Sequence, residues 1–228
     1  MKEQILSFLP PEYPWKDRLF VFPQLDSTNN RLKVLASQGA PHGTVLIADR
    51  QTGGRGRMGR SFLSPPGVGI YMSILLRPKC APQELMHLTC AVAAAMCRAV
   101  EHSVGLRPGI KWTNDLVWGK QKFAGILTEM GLNSAGGVDW AIVGIGVNCC
   151  QRAEDFPPEI RDRACSLAMA AGRKIDRCRV AAAMMEALWE MDASLFTGKE
   201  NMLRFYRENC VTIGKEISVV GAGEIRHG

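Results

Sequence analysis

The chain has 228 residues, 46% hydrophobic and 22% charged, which suits one large globular domain with a substantial core, or one domain with a small appendage. Its net charge of +6 favours anionic partners without requiring nucleic acid. No apolar run approaches the roughly 20 residues that span a bilayer, and Met1–Pro10 holds no signal-peptide hydrophobic stretch, so a cytoplasmic protein is expected.

In chain order, Arg18–Phe22 alternates as a strand, and Asp26-Ser27-Thr28-Asn29 supplies N-cap chemistry for a helix carrying Leu32, Leu35 and Ala36 and ending at Gly39. Hydroxyls, an amide and free backbone N–H groups converge at that junction, although from these residues alone a plain cap is the better explanation. A buried strand over 44–49 precedes Gln51, which either orients a polar ligand or lies exposed.

Next comes Gly54-Arg-Gly-Arg-Met-Gly-Arg60, whose glycines and guanidinium groups suit a loop that closes over an anion. It also spells G-x-G-x-x-G, but Ser61–Gly69 contains two prolines and two glycines and cannot open a helix. Arg77, Pro78 and Lys79 stand where a dinucleotide-binding turn needs an acidic residue. The dinucleotide reading is therefore set aside.

A strand is expected over 69–76 and a helix opened by Pro82 and running through His102, with Leu85, Leu88, Val92, Met96 and Val100 as its apolar stripe. Three strand-like segments follow, Ile110–Trp112, Lys122–Met130 and Trp140–Val147, with Asn133–Gly137 as a hairpin turn. Between the first two, Asn114-Asp115 reads as a turn dipeptide, though the carboxylate can also accept from an incoming amine. Lys122 stands at the rim of the core, either snorkelling or neutralising a carboxylate or phosphate. In Val143-Gly144-Ile145-Gly146-Val147-Asn148, alternation puts the glycines and Asn148 on one face, which can accept a flat ring. A polar stretch over 151–175 leads to helices over 176–196 and near 200–209, and strand character returns from Val211. The eight cysteines form no C-x-x-C pair, and the four histidines show no zinc pattern, so small buried thiols in a reducing compartment are expected.

Jointly, Asp26–Asn29, Gln51, Gly54–Arg60, Lys111-Trp-Thr-Asn-Asp115, Lys122–Leu127 and Gly144–Asn148 resemble, in order and spacing, the catalytic domain of biotin–protein ligases. The resemblance implies an α+β fold, a mixed β-sheet flanked by helices of the class II aminoacyl-tRNA-synthetase-like type. It implies a catalytic domain over 1–209 and, over 210–228, the apparently incomplete start of a C-terminal SH3-like β domain. The implied chemistry is activation of biotin by ATP, with Mg2+, to biotinyl-5′-AMP, then transfer to a lysine of a biotin carboxyl carrier protein. By motif match Ser27, Thr28, Asn29, Gln51, Arg55, Gly56, Arg57, Lys122 and Gly125 would hold biotin, and Arg57, Arg60, Phe62, Asn114 and Asn148 the nucleotide. Arg57, Lys122 and Asp115 would carry catalysis, Asp115 by aligning or deprotonating the acceptor lysine; the resemblance names no metal ligands. Phe62 stands where the family usually has tryptophan. Some relatives carry a winged-helix DNA-binding module of about 60 residues before the first strand; too few residues precede Ser27 for one, so DNA binding is not expected. A homodimer is compatible with the resemblance. Competing readings are a lipoate–protein ligase and a non-catalytic module whose arginines meet phosphate backbones.

Overall fold

The computed structural model describes residues 1–220 and 225–228. Helix α1 (Lys2–Leu6) leads to strand β1 (Leu19–Leu25), helix α2 (Thr28–Ser37) and strand β2 (Thr44–Gln51). Strand β3 (Gly69–Leu76) and helix α3 (Leu88–Val104) precede a run of strands, β4 (Gly109–Lys111), β5 (Asp115–Trp118), β6 (Gln121–Leu132) and β7 (Val138–Asn148). Short helices α4 (Pro158–Arg161) and α5 (Leu167–Ala171) come before α6 (Arg177–Ala193) and α7 (Lys199–Asn209). Strands β8 (Ser218–Val220) and β9 (Ile225–His227) pair with each other, apart from the main sheet.

The main sheet has seven strands in the order β1-β2-β3-β7-β6-β5-β4. Only β1 and β2 run parallel; every other neighbouring pair is antiparallel, so the sheet is mixed as expected. Period-2 alternation divides its two faces. Ile70, Met72 and Ile74 of β3 join Val143, Ile145 and Val147 of β7 in the principal core, beneath α3 and α6. Alanines at 91, 93 and 95 of α3 and 181–183 of α6 let those helices approach closely. The opposite face is covered by α2 along only part of its length, through a small cluster of Leu32, Ala36, Leu46, Leu75 and Ile142. The rest of that face carries Ser73, Gly125, Leu127, Glu129, Gly144 and Gly146, and the cleft opens there.

Two sequence expectations are corrected. Pro82 opens only a short 3-10 turn, Pro82–Leu85, closed on itself where Ala81 N donates to the Glu84 carboxylate at 2.8 Å; the long helix begins at Leu88. Asp115 is not a turn residue but the first residue of β5, paired with Lys111 on one side and Gly125 on the other. A four-residue strand is too short for alternation to reveal.

Candidate active site

Ser27 caps α2, its Oγ accepting from Asn30 N at 3.5 Å, which turns the first residues of the helix toward the open face of the sheet. Ser27, Thr28 and Asn29 are buried polar residues, and Thr28 and Asn29 are drawn into a hydrogen-bonded chain. Gln51 Oε1 accepts from Thr28 N at 2.8 Å and Thr28 Oγ1 at 3.0 Å, while Gln51 Nε2 donates to Ser64 Oγ at 3.1 Å. Ser73 Oγ lies 2.7 Å from Thr28 Oγ1 and 2.6 Å from Asn29 Oδ1. Asn29 Nδ2 donates to Leu127 O at 3.3 Å and to Glu129 Oε2 at 2.9 Å. A Cβ on Gly144 would lie 2.1 Å from Asn29 Oδ1, so this glycine makes room for the asparagine amide.

The arginine loop is a closed hairpin. Gly56 N donates to Arg60 O at 2.7 Å and Phe62 N to Gly54 O at 2.9 Å. Its tip turns through left-handed backbone at Met58 (φ 56°) and Gly59 (φ 72°), with Met58 80% exposed. The hairpin delivers Phe62 onto the glycine face, where a Cβ on Gly146 would lie 2.6 Å from its ring. The flat ring that Gly146 was expected to accept is thus supplied by the chain itself, and Gly144 serves Asn29.

At the other end of the cleft the charges gather. Arg57 Nη1 donates to Asn114 Oδ1 at 2.9 Å and to Thr113 Oγ1, while Asn114 Nδ2 donates to Ile126 O at 3.0 Å and so fixes its carbonyl toward the arginine. Lys122 Nζ pairs with Asp115 Oδ1 at 2.7 Å and lies 5.9 Å from the centroid of the Phe62 ring. The cleft has a volume of about 420 Å³, and its wall includes every residue expected from the sequence except Asn148. Asn148 is buried beside it with its amide engaged, donating to Cys165 O at 3.1 Å and accepting from Gln151 Nε2 at 3.2 Å. It ties β7 to the 151–166 segment.

The sequence reading missed Ser73, Trp112, Thr113 and Glu129. Ser73 and Glu129 had a visible signal, a polar residue on the cleft-facing parity of an otherwise apolar strand. Glu129 accepts from Lys33 Nζ at 2.7 Å and Arg55 Nη1 at 3.2 Å as well as from Asn29. Burial alone would raise its carboxyl, but the bonds from Lys33 and Asn29 and the charges of Lys33 and Arg55 outweigh it, holding the group below its ordinary value. Among the described residues no three His, Cys, Asp or Glu side chains cluster as a metal site, all eight cysteines are free, and no helix is long and apolar enough to cross a membrane.

Fold and cleft together set a polar helix start and a cationic hairpin on the one open face of a mixed sheet. The model of the biotin/lipoate A/B protein ligase family matches residues 21–148, and the chain belongs to that family. It is 44% identical over 156 residues to the bifunctional ligase/repressor BirA of Bacillus subtilis, covering 68% of this chain and 48% of the relative, so the chain spans about half that protein's length. It is 31% identical over 210 residues to the biotin–[acetyl-CoA-carboxylase] ligase of Mycobacterium tuberculosis, covering 90% of this chain and 75% of the relative. Among solved structures, the biotin protein ligase of Aquifex aeolicus in complex with biotin and ATP superposes with a TM-score of 0.75 at 33% identity, covering 92% of this chain and 85% of the other.

Proposed function

We propose that this chain activates biotin with ATP to biotinyl-5′-AMP, releasing pyrophosphate, and then transfers the biotinyl group to a lysine of a biotin carboxyl carrier protein. The observation that carries this reading is a single cleft with a buried polar network at one end, from Ser27, Thr28, Asn29 and Gln51, and Arg57, Arg60 and Lys122 at the other. The similarity to ligases of that printed activity supports it.

In the first step a biotin carboxylate oxygen attacks the α-phosphorus and the bond to pyrophosphate breaks. Two anions must meet, so cations are needed where charge accumulates. Lys122 meets the biotin carboxylate, exchanging part of its pairing with Asp115, and Arg57 meets the phosphate from the position in which Asn114 and Thr113 hold it. Arg55 and Gly56 close the biotin end, Gly125 leaves backbone room beside Lys122, and Phe62 offers its ring to the adenine. In the second step the lysine amine attacks the acyl carbon, the bond to AMP breaks, and Asp115 takes the proton the amine loses. The cleft wall offers one carboxylate, Asp115, among several cations, which suits magnesium arriving on the phosphates with few protein ligands. Bound there, magnesium would neutralise phosphate charge.

Residues 1–209 form the catalytic domain in this reading, and 210–228 begin a small SH3-like β domain, a division supported by the separate pairing of β8 and β9. Free thiols suit a cytoplasmic protein. Transfer is tested by incubating the protein with biotin, ATP, magnesium and a purified apo carrier domain, then reading the carrier's mass. Addition of one biotinyl group on one lysine is expected; an unmodified carrier would contradict the second step.

A further inference from the structure

Glu129 lies outside the cleft wall, yet it touches both the polar network and the hairpin. Its carboxylate can only accept hydrogen bonds, so the Asn29 side facing it must be the amide nitrogen. That leaves Asn29 Oδ1 toward Ser73 Oγ, 2.6 Å away, and the carbonyl takes the serine's one hydroxyl hydrogen. Ser73 then has only lone pairs for Thr28, 2.7 Å away. Thr28 in turn has its hydrogen committed inward, to Ser73 or to Gln51 Oε1, so its lone pairs are what remain for the cavity. The half-buried Glu129 charge, together with the Leu127 carbonyl that takes the Asn29 amide at 3.3 Å, therefore sets the donor and acceptor sense at Asn29 and Ser73, while Gln51 Oε1 is held by the Thr28 backbone N–H. The same carboxylate holds Arg55, whose Nη1 also donates to Asn30 Oδ1 at 3.0 Å, and so clasps the hairpin to the sheet. Lys33 competes with Arg55 for the same oxygen, Oε1.

We propose that Glu129 is a positioning residue that fixes the acceptor face the cleft presents to a cyclic ligand rich in N–H donors, such as the ureido ring of biotin, and latches the 54–62 hairpin over it. This rests on the biotin reading above. Glutamine in its place can turn an amide NH2 toward Asn29 and removes the charge that holds Arg55, so the Asn29 amide keeps only the Leu127 carbonyl as a fixed acceptor and the latch is weakened, while the volume is kept.

The test compares wild type, Glu129→Gln and Glu129→Asp in pyrophosphate release at varied biotin, with timed proteolysis of the hairpin in saturating biotin and ATP. Glu129→Gln should raise the KM for biotin about tenfold, the worth of one charge-assisted hydrogen bond, with kcat changed far less. Its hairpin should be cut faster, and Glu129→Asp should restore part of both effects. Lys33→Gln, which removes the competitor, should slow cleavage and keeps the latch testable if Glu129→Gln fails to fold. Unchanged KM in Glu129→Gln, or unchanged cleavage in Lys33→Gln, would overturn the proposal. Wild type that releases no pyrophosphate with biotin would instead remove the biotin reading itself.

Discussion

Arg57 has the most constrained task in the cleft, because Asn114 and Thr113 both hold its guanidinium. Arg57→Ala removes a pre-aimed, charge-assisted contact of about 2–3 kcal/mol. Retention of labelled biotinyl-adenylate on the isolated protein should fall by one to two orders of magnitude, and unchanged retention would remove Arg57 from the phosphate. Gly144 has a purely steric task. Gly144→Ala puts a methyl group 2.1 Å from Asn29 Oδ1 inside a central strand, a conflict worth about 1–3 kcal/mol, so thermal melting should move down by several degrees. Glu129 adds a pH signature. Its folded pKa is depressed, so its stabilisation is present above the ordinary glutamate value and is lost as pH falls through the lower folded value. The melting difference between wild type and Glu129→Gln should hold steady above about pH 5 and shrink below about pH 4; a difference that shrank already between pH 7 and 5 would contradict it. At this scale Arg57, Lys122 and Gln51 were legible because charged and polar residues flank apolar strands. Glu129 escaped because its partners come from α2 and a loop about 100 and 74 positions away.

The hairpin at 54–62 is the element on which the account turns. Its backbone bonds close it locally, and beyond those it is held by Arg55, Arg57 and the Phe62 ring, all three directed at the cleft wall. Ligand should therefore add the contacts that offset the entropy of ordering its glycines. Limited proteolysis within 54–67 should slow in the presence of biotin with ATP; cutting at equal rates with and without them would sink the lid. Helix α6 and strand β7 were readable in advance from their periods, and β3 as an apolar run buried on both faces. Strand β5 was not, since its four residues complete no pattern and its existence depends on pairing with β4 and β6. The break before α3 was hidden for a similar reason, the apolar stripe running on through residues that in fact form a separate 3-10 turn.

Across the whole molecule, one face of the mixed sheet is filled by α3 and α6 and the other is left half open, so core and cleft share the same strands. Each cleft residue on β6 and β7 is thus anchored by neighbours buried on the far side, which gives the rigid floor that pre-aimed catalytic groups need. The α+β class and the shared site of the separated motifs were legible through the family that their order and spacing resemble. What spacing could not supply was the chain's own ring on Gly146, because that contact exists only once the hairpin has folded back. ATP-dependent activation of biotin in this cleft is read out by incubating the protein with ATP, magnesium and either biotin or lipoate, and measuring pyrophosphate and acyl-adenylate. Both products are expected with biotin and little or none with lipoate; no product with biotin would contradict activation in this cleft.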